Sequence, residues 1–142
     1  VTKTPKKRSY EIQDSGKRQD FDTGARRDIQ ENKGRFDLLP PRVIKALAIH
    51  FEMGAVKYGD RNWEKGIPVS RFLSSAMRHT FQFLQGVDDG ENHLVSAAWN
   101  IICAYETILR IQEGLLPEEL YDLPYKLELP MVTPEKKPDK SQ

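Results

Sequence analysis

One cysteine in 142 residues excludes an internal disulfide framework and a zinc site built on thiolates. Histidine is almost as scarce, with three in the chain. Neither charge sign dominates: 22 Lys and Arg stand against 21 Asp and Glu, leaving a net charge of +1. That balance provides no global field for nucleic acid or an anionic membrane, and no specific nucleic-acid binding is expected. No run of roughly 18 apolar residues marks a membrane span. The basic, polar N-terminus has no apolar core of a secretory signal, so the reading expects a cytoplasmic protein. Cys103, set in an apolar helical run, reads as a buried thiol acting as a small hydrophobe.

What remains is organised into three parts. Residues 1–22 lack hydrophobic periodicity and carry a basic excess, the composition of a disordered arm. Residues 131–142 form a second polar tail rich in proline and lysine. The folded domain is expected between residues 23 and 130.

The apolar pattern there is helical. Val43, Leu47, Phe51, Ala55 and Tyr58 repeat at three to four residues behind Pro40-Pro41, and Gly59 stops the helix. A second helix starts with Ser70 as its N-cap, buries Phe72, Ala76, Phe83 and Leu84, and ends at Gly86. A third runs from near Asn92 to about Glu113, with Leu94, Ala98, Ile101, Tyr105, Ile108 and Leu109 inward and Gly114 behind it. No strand-like alternation of comparable length appears, so the class is all-α. Val95, Trp99, Ile102 and Cys103 make helix three apolar on more than one face, and the strip from Leu115 to Leu129 has little core of its own. Homo-oligomerisation, as a dimer or tetramer, is the economical cover.

The chemistry concentrates between helices one and two, in KYGDRNWEKG from Lys57 to Gly66. Lys57 and Arg61 are candidates for phosphate, as is Arg78 on helix two. Trp63 or Tyr58 would pack on a base, and Asn62 or Asn100 would read its edge or position water. The plain alternative makes Trp63 a plug at the end of a bundle. Glu52 lies beside the helix-one face between Ala48 and Ala55, with room before its carboxylate. His79 falls on the seam between the buried face of helix two and the polar face carrying Arg71, Arg78 and Gln82. Asp88, Asp89 and Glu91 crowd the start of helix three, where His93, Ala97, Asn100 and Ala104 form a polar stripe spaced by alanines. Carboxylates and imidazoles converging from facing helices are how bundles hold magnesium or manganese. Taken singly, each has a structural reading: a paired Glu, a hydrogen-bonded His, a capping loop.

Three stretches together resemble a known family. GxxxDxxxxKGRFDLLPP from Gly24 to Pro41, HFEMGAVKYGDRNWEKGIP, and RFLSSAMRHTFQFLQGVDDGENHLVSAAWN look like the N-terminal domain of dATP/dGTP diphosphohydrolases. That domain is associated with the MazG-like, all-α NTP pyrophosphohydrolase superfamily and with phages that make diaminopurine DNA. The resemblance implies a MazG-like bundle that hydrolyses purine deoxynucleoside triphosphates to monophosphate and pyrophosphate with magnesium or manganese. The setting would be a host cytoplasm if the chain is phage-encoded. The superfamily pairs two acids at i, i+3 on each of two helices, and here the chain departs from it. Glu52 has Ile49 and Ala55 at those offsets, and helix three offers His93, Ala97 and Asn100. Either a metal set is reassembled from Glu52, Asp88, Asp89 and His93, with His79 as a further member, or the fold binds nucleotide without metal chemistry. On the first reading Glu52, Asp89 and His93 are catalytic. On the second the protein sequesters or senses a nucleotide. A phage structural or assembly component is the alternative from another class.

Overall fold

A computed structural model describes residue 10 and residues 12–130, which form two compact units divided between Phe36 and Asp37. Most of the 1–22 arm and all of the 131–142 tail lie outside the described residues.

The first unit holds a hairpin that the apolar pattern does not reveal. Strands β1 (Arg18–Asp20) and β2 (Arg26–Asp28) pair antiparallel with Gln19 opposite Arg27. These strands are almost wholly charged, so an apolar/polar period has nothing to register. What shapes them is a turn in which Gly24, at φ 86°, donates its N–H to the Phe21 carbonyl, with ion pairs on either side. Arg26 meets Asp20 at 2.6 Å, and Arg18 meets Asp14 at 2.7 Å. Lys33 lies 2.8 Å from Asp28 and, with the Ser15 hydroxyl, holds that carboxyl well below the usual aspartate range. The hairpin therefore begins inside the stretch expected to lack regular structure.

The second unit is helical. Helix α1 (Pro41–Tyr58) starts with Pro41 at its first position, where the missing N–H is no loss, and stops at Gly59. Helices α2 (Val69–Leu84) and α3 (His93–Gln112) follow, with short 3-10 turns at Asn62–Glu64 and Glu118–Leu120. The class is mainly helical, as expected, with the small two-stranded sheet added.

The faces differ from the periodicity reading. On α3 the buried line is His93, Ser96, Asn100, Cys103, Thr107 and Ile111, while Leu94 and Ile101 are about half exposed, at 50% and 51%. The helix is rotated so that its polar stripe faces inward. An apolar stripe and a polar stripe compete on this helix, and the polar one turns inward, where its groups find partners. Asn100 Nδ2 donates to the Ser96 carbonyl at 2.8 Å, the Thr107 hydroxyl donates to the Cys103 carbonyl at 2.7 Å, and the Ser96 hydroxyl donates to Glu91 at 2.9 Å. On α2, Phe72 and Ala76 are buried as expected, but Phe83 and Leu84 are exposed. On α1, Val43 and Tyr58 are exposed while Leu47, Phe51 and Ala55 are partly covered.

Both other helices pack on α3. By length and composition it is also the one helix among the described residues apolar enough to cross a membrane, with a mean hydropathy of 1.2. Its buried Cys103 thiol is pushed up to about 12 by burial and stays protonated, the inert form.

Ser70 is not an N-cap; it is the second residue of α2, behind Pro68. The free N–H at this helix start is satisfied from far along the chain. Asp122 accepts from the Ser70 N–H at 2.9 Å and from the Ser70 hydroxyl. This places a carboxylate against a helix N-terminus, where it is favoured. The two Ser70 bonds lower the Asp122 pKa from 3.8. The unfolded state therefore binds the proton more readily, and the contribution is present above pH 3.8 and lost as pH falls through the folded value. Asp122→Ala should melt several degrees below the parent at neutral pH, and the gap should close in thermal scans taken to progressively more acidic pH.

Candidate active-site cleft

A cleft of about 1110 Å³ opens between the C-terminal half of α1, the loop after it, the first half of α2 and α3. Its floor is aromatic. Trp99 packs against His50 at 5.2 Å between ring centroids, against Phe51 at 6.0 Å and against Phe72 at 6.2 Å. Trp63 meets Phe51 edge-on at 5.8 Å. These tilted and edge-to-face geometries are the favourable ones for ring pairs. The Trp99 indole N–H is buried with no hydrogen-bond partner.

Cations surround that floor: Lys57, Arg61, Arg71 and Arg78 all line the cleft. Arg78 donates to the Ser75 hydroxyl at 3.1 Å, and Lys57 stands 5.0 Å above the Tyr58 ring. Arg61 pairs with Glu64, whose other oxygen is 3.5 Å from Arg110 of α3. The loop is thus tied to the bundle through a carboxylate and keeps its Arg61 side chain mostly exposed. Arg61 itself sits in the left-handed region at φ 58°, which non-glycine residues seldom adopt. Gly66 is needed for space as well as conformation. At φ 116° a Cβ there would stand 3.1 Å from a Leu120 methyl.

Beside the cleft, two of the three histidines come together. His79 from α2 and His93 from α3 are 8% and 4% exposed, and their Nδ1 atoms face each other at 3.0 Å. Only one of the two can carry a proton toward the other. Glu91 Oε1 lies 3.8 Å from His79 Nε2, Glu91 Oε2 lies 4.0 Å from His93 Nδ1, and Asp89 Oδ1 lies 3.0 Å from His93 Nε2. The last contact is off line, so the buried Nε2 makes no hydrogen bond. Burial pushes the His79 imidazole down, against the pull of Glu91. His50 from α1 is pushed down by burial too, and it feels both Glu91 and His79. Asp89 is held low, first by the Glu91 N–H that it accepts and then by His93. Asn92 caps α3 by accepting from the Val95 N–H at 3.1 Å, which fixes where Glu91 and His93 project.

The residues singled out in the sequence divide into two sets. Lys57, Tyr58, Arg61, Asn62, Trp63, Arg78 and Asn100 all line the cleft. His79, Asp89 and His93 gather in the adjoining cluster. Glu52 and Asp88 join neither; both are exposed, and Glu52 points away from the face that α1 covers. The room in front of Glu52 that Ala48 and Ala55 suggested is solvent. Sequence reasoning missed His50, Arg71 and Trp99 as cleft residues and gave Glu91 no ligand role. A chain with three histidines that places one on each of three helices carried a usable signal.

No curated protein and no solved structure matches the chain at a significant level. A family model described as "dATP/dGTP diphosphohydrolase, N-terminal" matches residues 23–114, which include α1, α2, α3, the cleft and the histidine–acid cluster. On that match the chain belongs to the dATP/dGTP diphosphohydrolase N-terminal family.

Proposed function

We propose that the cleft binds a purine deoxynucleoside triphosphate, dATP or dGTP, and hydrolyses it to the monophosphate and pyrophosphate. One observation carries the reading: Glu91 lines the cleft and also belongs to the histidine–acid cluster, so a phosphate held by the cleft cations lies next to metal-binding donors. Lys57, Arg61, Arg71 and Arg78 supply the charge for three phosphates. Trp63 or Tyr58 packs on the base, and Asn62 or Asn100 reads its edge. Water forms a bond to the α-phosphorus, the bond from that phosphorus to the α–β bridging oxygen breaks, and pyrophosphate leaves. Such a reaction needs positioning and charge neutralisation more than covalent help from the protein. A bound divalent ion, magnesium or manganese by family resemblance, supplies the neutralisation. We place it at the histidine–acid cluster, which does not include Glu52 or Asp88.

Binding without turnover is the second reading. It is favoured by Glu64, a carboxylate lining the cleft that is committed to Arg61 and Arg110 and so is not free for a metal. Pyrophosphate release across the four dNTPs, with added divalent metal and with EDTA, separates the two. Metal-dependent release from dATP and dGTP supports the enzyme, and tight binding with no release from any of them supports sequestration.

The reading extends to assembly with a second copy of the chain. Ile49, Met53 and Val56 of α1, Met77 and Phe81 of α2, and Leu94, Ile101 and Ile102 of α3 are exposed. Light scattering at micromolar concentration is expected to give a dimer or tetramer, and a monomer of ordinary stability would refute this part.

A further inference from the structure

We propose that His79, Glu91 and His93 form a nitrogen-based centre for a first-row transition ion such as zinc or cobalt, and that magnesium is a poor fit there. The inference deepens the function proposed above and rests on it only for the ion's purpose.

The donors come from two helices and the turn between them. One ligand atom from each of the three residues lies within 4.8 Å of the others. Two imidazole nitrogens bound to one ion at about 2.0–2.1 Å each stand about 3.0–3.4 Å apart. The facing Nδ1 atoms are already at 3.0 Å. Without an ion, one N–H···N hydrogen bond joins the facing rings, and the far nitrogen of His93 has the Asp89 carboxylate as its one polar neighbour. With an ion, the same two lone pairs point at it, and the nitrogen spacing needs little change. Asp89, 3.0 Å from that far nitrogen, stands where an outer carboxylate orients a ligating imidazole.

Donor chemistry sets the class of ion. Imidazole suits zinc, copper, iron, cobalt and nickel, whereas magnesium takes oxygen ligands and sheds water reluctantly. Two nitrogens and one carboxylate leave coordination positions open toward the cleft, through Glu91. The metal set expected from the sequence was Glu52, Asp88, Asp89 and His93, and of these His93 alone belongs to the donor group that gathers here.

The test uses the full chain without a histidine tag, titrated with cobalt(II) and read by visible absorption, then by calorimetry with zinc, manganese and magnesium. No nucleotide is present. The expected result is one cobalt site per chain with ligand-field bands displaced by zinc, and magnesium binding at least about 100-fold weaker. His79→Asn and His93→Asn should abolish the bands. Because both rings are buried, either variant can lose the fold, which circular dichroism detects. Glu91→Gln then decides, since that side chain is about half exposed: cobalt affinity should fall about 10-fold or more. Absence of any saturable cobalt or zinc site overturns the proposal, and so does unchanged affinity in Glu91→Gln or in a folded histidine variant. Failure here and failure of the nucleotide reading are distinguishable. Magnesium-supported hydrolysis without a cobalt or zinc site keeps the enzyme and removes this centre. A cobalt site without hydrolysis under any metal keeps the centre and removes the enzyme.

Discussion

Glu91→Gln is expected to lower kcat/KM for dATP and dGTP by about 100-fold or more while leaving the melting temperature close to that of the parent. Glu91 is the one residue common to the cleft and the cluster, and its carboxylate faces both buried imidazoles. Removing its charge takes a negative group from the place where an ion and a triphosphate would meet. The fold depends on it little: the side chain is about half exposed, and its bond from the Ser96 hydroxyl can pass to the new amide oxygen. Glu52→Gln is the control. That residue is exposed and outside the cleft, so its turnover should match the parent. Pyrophosphate release measured on both variants checks the pair. Loss of turnover in Glu52→Gln with retention in Glu91→Gln would reverse the assignment.

Trp99→Ala is expected to produce the largest loss of stability, about 3–5 kcal/mol. The indole touches His50, Phe51 and Phe72, so it joins all three helices at one point. The described core is thin: its buried apolar cluster is Val69, Phe72, Cys103, Ala104, Ile108, Ile111 and Tyr121. A domain typically holds only about 5–15 kcal/mol in total, so this loss is a large fraction. Trp99→Phe keeps most of the ring contacts and should recover most of the stability. Its smaller ring also reshapes the cleft floor, and a fall in nucleotide affinity is the expected result. Urea unfolding together with nucleotide affinity for both variants separates packing from recognition.

The helices were legible because their ends are marked chemically. Pro41 and Gly59 bracket α1, and Asn92 caps α3. The faces were harder. On α3 an apolar stripe through Leu94 and Ile101 competes with a polar stripe through His93, Ser96 and Asn100, and periodicity favours the apolar one. What reverses the choice lies outside the helix: Glu91, just before it, supplies an acceptor for Ser96, and α2 supplies an imidazole for His93. The hairpin at Arg18–Asp28 is held by charges and a glycine turn, which leave no hydrophobic period. Half of the site could be read because the loop residues Lys57 to Trp63 are contiguous. The other half is assembled from His50, His79 and Glu91, on separate elements, whose convergence depends on how the helices rotate.

The bond from Asp122 to Ser70 joins points 52 residues apart. Closing so long a segment costs chain entropy before any contact rewards it. The α2–α3 pair, by contrast, is linked by a short turn and can form early. The Asp122 clasp is therefore expected to form late, after the helical pair has docked. A contact absent from the transition state changes the rate of unfolding and leaves the rate of folding alone. Asp122→Ala is then expected to unfold faster and fold at the parent's rate, the mark of a kinetic latch, and stopped-flow measurement of both rates checks it.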